Sequence, residues 1–151
     1  MDDAAIRRAL VRQFEDGRDL DQTHELYHDD AVLEFPQSGE RFVGKANFLA
    51  WRKEYPANVT YRIRRITGAG ELWFIELLVS YNAGTPMLGV GLMQFRGDRI
   101  ARETVYAMEG FEAAPWRDAW VTRFDPLASV SPAEWRDDVP FGIDARVALG
   151  R

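Results

Sequence analysis

Hydrophobic residues fall at helical spacing in three segments of the first third of the chain. In the first segment Ile6, Leu10 and Phe14 recur at intervals of four, so they share one face of a helix. Apolar residues at similar spacing follow Gly17 and Gly44, which are residues typical of helix boundaries. The pattern predicts helices over residues 3–16, 20–28 and 45–55.

From residue 59 the hydrophobic period changes to two, which is the spacing of β-strands with one buried face. Two shorter segments before that point, rich in β-branched and aromatic residues, predict further strands. The predicted strands are residues 31–35, 41–43, 59–67, 71–81, 87–95 and 100–108, and a short closing helix over 115–120 follows them. This order predicts an α+β fold, with N-terminal helices packed on an antiparallel β-sheet.

The length of the chain favours one domain with a tail. At 151 residues it can build one full core but not two comfortable ones. The hydrophobic pattern thins beyond Pro126. We therefore expect a domain over residues 1–124 and a partly irregular C-terminal extension over residues 125–151.

Composition and charge narrow the possible partners. Hydrophobic residues make up 46% of the chain and aromatic residues 13%, which is enough for a core and a lined cavity. The net charge of −5 argues against nucleic-acid and anionic membrane partners, because both attract basic surfaces. Cysteine is absent, there is no basic-then-apolar leader pattern, and no apolar run approaches the roughly 18 residues of a membrane span. We expect a cytoplasmic protein.

One junction carries a family resemblance. The segment Leu26–Val32 (LYHDDAV), the pair Phe35–Pro36 and the glycine at Gly44 resemble the SnoaL-like family of the nuclear transport factor 2-like superfamily over about residues 3–122. The resemblance implies a strongly curved sheet that forms a cone with the helices around a ligand pocket, and it implies a homodimer. The superfamily includes ketosteroid isomerases, polyketide cyclases, epoxide hydrolases, dehydratases and members that only bind or dimerise, so the fold leaves function open.

The isomerases of the superfamily carry a catalytic residue at each of three positions. Its general-base aspartate corresponds to Phe35, its oxyanion-hole tyrosine to Val11 and its protonated aspartate to Met93. All three side chains are apolar in this chain. Steroid isomerisation by that mechanism is therefore excluded.

Two glutamates on the predicted strands are the candidate catalytic residues. The resemblance places Glu103 on the last strand, where cyclases and epoxide hydrolases of this fold carry an acid, and places Glu76 beside the cavity. Glu76 also interrupts the apolar stripe of Leu72, Phe74 and Leu78. A carboxyl group in an apolar cavity can act as a general acid or base near neutral pH. The alternative is that each glutamate pairs with an arginine, the candidates being Arg52, Arg62, Arg64 and Arg102.

Eight apolar and aromatic residues are expected to line the ligand pocket, and no cofactor or metal is expected there. They are Phe14, Phe35, Trp51, Tyr55, Leu78, Met93, Val105 and Tyr106. The leading hypothesis is a protein that binds a small apolar, carbonyl-bearing ligand, with cofactor-free acid–base catalysis by Glu103 or Glu76. The second hypothesis is a non-catalytic homodimeric binding module.

A third and remote hypothesis is a zinc hydrolase. His24–His28 spells HELYH, and two histidines four apart on a helix can share one zinc ion. The motif lies before any predicted strand and passes directly into one. The better interpretation is a helix-face residue at His24 and a cation near a helix C-terminus at His28.

Overall fold

A computed structural model describes residues 1–127 of the chain. It contains three α-helices, six β-strands and one turn of 3-10 helix within those residues. The helices are α1 (Asp3–Gln13), α2 (Leu20–His24) and α3 (Lys45–Lys53). The strands are β1 (Tyr27–Phe35), β2 (Glu40–Val43), β3 (Val59–Ala69), β4 (Leu72–Tyr81), β5 (Met87–Arg96) and β6 (Arg99–Met108).

The sheet has the order β2-β1-β6-β5-β4-β3. Each pair of neighbours is antiparallel except β1 and β6, which run parallel. β1 pairs with β2, and β3 to β6 pair in succession, as antiparallel hairpins, whereas β1 and β6 are far apart in the chain and are free to run in the same direction. Register shifts at Arg64 of β3, where it pairs with β4, and at Ala101 of β6, where it pairs with β5, mark irregularities that bend and twist a sheet. The structure confirms the α+β fold of helices on a curved, mostly antiparallel sheet.

The second helix ends four residues earlier than the sequence pattern predicts. It stops at His24, and Tyr27 already belongs to β1, where it pairs with Ile100. The backbone N–H of Ile100 donates to the carbonyl of Leu26 at 2.8 Å. The residues predicted to form the last turn of the helix therefore gain strand partners, and tertiary pairing overrides the local helical pattern.

The inner face of the sheet carries the core. In β4 the alternate residues Trp73, Ile75, Leu77 and Val79 are buried in the core cluster that also includes residues of α1 and α3. Burial of such side chains contributes roughly 1.5–3 kcal/mol each, so this face is the main source of stability. The same core continues through Leu10 and others on the remaining elements: Ile6, Leu33, Phe48, Met93, Phe95 and Ile100.

The segment after β6 runs over the surface without long regular structure. A single turn of 3-10 helix at Pro115–Arg117 replaces the helix predicted over residues 115–120. Its large aromatic side chains, those of Phe111, Trp116, Trp120 and Phe124, are exposed. The predicted C-terminal extension lies outside the described residues except for its first three positions. No helix in residues 1–127 is long and apolar enough to cross a membrane.

Candidate functional site

A cavity of about 480 Å³ lies between the helices and the inner face of the sheet. Ligand pockets in proteins commonly measure about 300–1,000 Å³, so this cavity can hold a small molecule. Six of the predicted ligand-binding residues line it: Phe14, Phe35, Trp51, Tyr55, Val105 and Tyr106. Strand alternation points the Tyr106 side chain to the outer face, where it is partly exposed, so this residue contributes its backbone.

Two glycines explain why the sheet leaves room for this cavity. Gly89 and Gly91 occupy successive inward positions of β5, and neither has a side chain to fill the space. A Cβ atom at Gly89 would lie 3.2 Å from Val79 Cγ2, while one at Gly91 would lie 3.6 Å from Met93 Cε. The sequence analysis missed both residues. Alternating glycines within a strand were the available signal, since glycine there often marks the close approach of a ligand or backbone.

Glu103 is the acidic group of the cavity. Its side chain comes from an inward position of β6 and the residue is only 3% exposed. The Tyr27 hydroxyl donates to Oε2 at 2.6 Å, and Arg52 Nη2 donates to the same oxygen at 3.0 Å. Because both partners are donors, we describe Glu103 as a carboxylate.

The second carboxylate oxygen of Glu103 is available to a ligand. No group within residues 1–127 donates a hydrogen bond to Oε1. In that part of the chain, the only fully buried side-chain polar atom without a hydrogen-bond partner is Arg64 Nε. Oε1 also lacks a hydrogen-bond partner but is not among such fully buried atoms, so it is not fully buried. Glu103 itself lines the cavity. Oε1 can accept a hydrogen bond or a proton from a bound molecule.

His24 anchors the arginine that holds Glu103. Its Nδ1 donates to the carbonyl of Leu20 at 2.6 Å, and its Nε2 accepts from Arg52 Nη1 at 2.9 Å. These two bonds require the neutral ring with its proton on Nδ1. Burial, followed by the charge of Arg52, lowers the pKa of His24 from 6.5 to about 4. His24 is therefore a neutral acceptor at physiological pH.

Tyr27 and Arg52, the two donors to Glu103, keep their ordinary charge states. Burial, and then the neighbouring Glu103 carboxylate, raises the pKa of the Tyr27 hydroxyl, so it remains a donor. Burial alone would lower the pKa of Arg52, but the Glu103 carboxylate raises it above its usual value. We call His24, Tyr27, Arg52 and Glu103 the Glu103 network. It combines one cation, one anion and two neutral rings.

Tyrosines form the wall beside the Glu103 network. Tyr55 and Tyr81 stack with their ring centroids 5.9 Å apart, and burial, followed by Tyr55, raises the pKa of Tyr81 to about 12. Burial also raises the pKa of Tyr61, whose ring lies 4.9 Å from the Arg18 guanidinium carbon. The Tyr61 and Tyr81 hydroxyls therefore stay protonated. The wall offers aromatic surface with a few hydrogen-bonding groups.

The structure contradicts the predicted position of Glu76. Its side chain is 37% exposed on the outer face of β4, where Arg65 Nε donates to its Oε2 at 2.7 Å. Glu103 does pair with Arg52, as the alternative interpretation proposed, but Glu76 pairs with an arginine that the interpretation did not name. Both faces of β4 are apolar, so the period of two revealed a strand without revealing which face is inside.

Two predicted ligand-binding residues also lie outside the cavity lining. Leu78 has the same parity as Glu76 and is buried on the outer face. Met93 faces inward but is fully buried in the core, with its side chain against Gly91. Sequence analysis missed Tyr27 as a hydrogen-bond donor to Glu103, as well as His24 and Arg18, because their roles depend on contacts between distant parts of the chain.

The HELYH motif does not form a zinc-binding helix face. His24 ends α2, whereas His28 lies in β1 and its Nε2 donates to the carbonyl of Arg96 at 2.7 Å. Both ring nitrogens of His24 are already hydrogen-bonded. Within residues 1–127 no group of three or more histidine, cysteine, aspartate or glutamate residues is arranged to hold a metal ion.

Comparison with solved structures identifies the superfamily to which the fold belongs. The chain matches an NTF-2 like protein of unknown function from Burkholderia xenovorans LB400 with 38% identity and a TM-score of 0.75, covering 83% of this chain and 99% of that one. A putative ketosteroid isomerase from Kribbella flavida has a TM-score of 0.72 at 24% identity, with coverage of 80% and 90% respectively. The fold is that of the nuclear transport factor 2-like superfamily.

The family follows from a sequence match. Residues 7–103 match the model of the SnoaL-like domain, and the chain belongs to this family. An LEH-like epoxide hydrolase from M. tuberculosis shares the fold at 20% identity and a TM-score of 0.57, covering 66% of this chain and 80% of that one. No curated protein matches the chain. The fold is thus related to those of isomerases, cyclases and epoxide hydrolases, which leaves the chemistry to the site itself.

Proposed function

We propose that this protein binds a small, largely apolar, carbonyl-bearing molecule in the cavity and that Glu103 acts on it as a general base, without metal or organic cofactor. The observation that carries the proposal is the geometry of the Glu103 carboxylate. Oε2 is held by Tyr27 and Arg52, while Oε1 has no hydrogen-bond donor within the described chain. A carboxylate fixed on one side and free on the other is oriented toward a ligand before the ligand binds.

The surroundings of Glu103 support proton transfer. Phe35, Trp51 and Val105 are among the apolar residues that line the cavity around it. Tyr61 and Tyr81 carry protonated hydroxyls on the wall beside the Glu103 network, and such groups stabilise negative charge that develops on a carbonyl oxygen. A base and hydroxyl donors in one cavity are the groups required to remove a proton next to a carbonyl.

A second candidate function is that of a non-catalytic homodimeric binding module. The Glu103–Arg52 ion pair favours it, because the arginine already neutralises the carboxylate that would act as the base. Exposed aromatic side chains after β6, such as Trp116 and Trp120, offer surface that a second copy would cover. For either function the absence of cysteine fits a reducing cytoplasm, and the acidic net charge fits a protein without nucleic-acid partners.

A base-catalysed ring opening tests the two functions without knowledge of the natural ligand. Nitrobenzisoxazole loses a ring C–H proton to a base, the C–H electrons form a nitrile, and the N–O bond breaks to give a coloured phenolate. We expect saturable turnover by the wild type and its loss in Glu103→Gln. Glu76→Gln is the matched control, since it makes the same change on the outer face, and it should keep wild-type turnover.

The result separates the candidates. Equal turnover by wild type and Glu103→Gln would contradict general-base catalysis by this residue. Binding of nitrobenzisoxazole by the wild type without any turnover above that of free acetate would also contradict catalysis, and would favour the binding module.

A further inference from the structure

Within residues 1–127, the charges of the side chains that line the cavity do not sum to zero. In that part of the chain, four charged side chains contribute to its lining: Arg18, Arg52, Lys53 and Glu103. Arg52 pairs with Glu103 at 3.0 Å, and Lys53 pairs outside the lining with Asp21 at 2.7 Å. His24 is neutral. Arg18 is left, so the described residues give the cavity a net positive charge, although the chain as a whole carries −5.

Arg18 is held at the cavity and has no acidic partner in the part of the chain that the structure describes. It makes no hydrogen bond and no ion pair with any group in residues 1–127, and its guanidinium carbon lies 4.9 Å from the centre of the Tyr61 ring. An arginine stacked on an aromatic ring keeps its N–H groups free at the edge of the guanidinium plane. These donors are available to a ligand.

The connection that carries Arg18 is fixed on both sides. Gly17 has φ of +68°, a left-handed conformation that glycine adopts without strain, in the turn that follows α1. Asp19 caps α2, because its side chain accepts from the backbone N–H of Gln22 at 3.1 Å. Arg18 therefore projects from a short, anchored turn between two helices. The charge of Arg18 also contributes to lowering the pKa of His24, which is consistent with its position beside the cavity.

We propose that the cavity takes an apolar carboxylic acid in its anionic form, with the carboxylate bound by the Arg18 guanidinium and the apolar body among the aromatic rings. The planar, fork-like guanidinium matches a carboxylate with two parallel hydrogen bonds. The acid group then lies at Arg18, and the rest of the ligand reaches toward Glu103 Oε1. This inference rests on the proposed function, because it requires that the cavity bind a small apolar molecule.

Two probes of nearly equal shape test the charge preference. Naphthoate carries a carboxylate, whereas naphthamide replaces it with a neutral amide on the same ring system. Binding of each is measured at pH 7 by isothermal titration calorimetry with the wild type, Arg18→Gln and Arg12→Gln. Arg12 is the matched control, because it removes the same charge from the nearby α1 without lining this cavity.

We expect the wild type and Arg12→Gln to bind naphthoate at least about tenfold more tightly than naphthamide, since a hydrogen bond to a charged group is stronger than a neutral one. Arg18→Gln should lose this preference and bind naphthamide as the wild type does. Equal affinity of the wild type for both probes, or a preference that survives in Arg18→Gln, would overturn the inference while leaving apolar binding intact. Failure of the wild type to bind either probe would overturn both proposals.

Discussion

Replacement of Glu103 by glutamine should destabilise the protein measurably. Glutamine keeps an acceptor for the Tyr27 hydroxyl but leaves the Arg52 guanidinium without its counter-ion. Breaking a buried ion pair from one side costs about 3–5 kcal/mol. The Arg52 side chain is 21% exposed, so water compensates part of the loss and we expect about 2–3 kcal/mol. For a chain of this size that corresponds to a decrease in Tm of roughly 5–10 °C.

A double-mutant cycle assigns this loss to the ion pair. The free energy of unfolding is measured by urea denaturation for the wild type, Glu103→Gln, Arg52→Gln and the double variant. Because the two side chains contact each other, the double variant should be more stable than the sum of the single losses predicts, by about 1–3 kcal/mol. Glu76→Gln serves as the control and should cost less than about 1 kcal/mol, because its ion pair with Arg65 is exposed. Additive losses in the cycle would show that Glu103 and Arg52 do not interact as described.

Two further predictions concern the neighbours of Glu103. The pKa of His24 is lowered from 6.5 to about 4, so between these values the unfolded chain binds a proton that the folded chain does not. The free energy of unfolding should therefore fall by about 1.4 kcal/mol per pH unit as the pH decreases through this window, and urea denaturation of His24→Gln should show a shallower dependence. Tyr27→Phe removes one of the two donors to Glu103 Oε2 and should cost about 1–3 kcal/mol of stability, measured in the same way. A Tyr27→Phe variant as stable as the wild type would contradict that hydrogen bond.

The sequence was sufficient for the fold because its signals are local. A period near 3.6 before residue 56 and a period of two after it define the helices and most of the strands. The start of β1 could not be predicted in this way. Tyr27 and His28 fit the helical pattern of the preceding residues, and only pairing with β6 draws them into the sheet.

The candidate site was predictable only in part, because its residues meet through long-range contacts. Glu103 was identified from its place on the last strand of a resembling family. Its partner Arg52 lies 51 residues away, and the contact between Arg52 and His24 spans 28 residues. No spacing rule connects such positions. The sequence instead indicated His24 as a possible zinc ligand through the HELYH motif, which the structure divides between α2 and β1.

The error at Glu76 has a different physical origin. Alternation along a strand separates two faces, but burial decides which face is inside. On β4 both faces are largely apolar, so the sequence pattern does not tell whether Glu76 and Leu78 or Leu77 and Val79 face the cavity. The glycines of β5 would have resolved the ambiguity, since Gly89 pairs with Leu77 and thereby marks the inward face.

Replacing a glycine of β5 that lines the cavity with a larger residue tests the central claim, that this space is a ligand-binding site. Gly91→Leu places a side chain into the cavity from an inward position where, among residues 1–127, only Met93 comes within 4 Å of the new Cβ atom, at 3.6 Å. The control Thr104→Leu adds a similar side chain at an outward position of β6. Naphthamide affinity is measured by calorimetry for both variants, after circular dichroism has confirmed that each is folded. We predict that Gly91→Leu loses at least about tenfold in affinity, which is the binding energy of one or two buried methylene groups, whereas Thr104→Leu binds as the wild type does. Unchanged affinity in a folded Gly91→Leu would contradict the assignment of the cavity as the binding site.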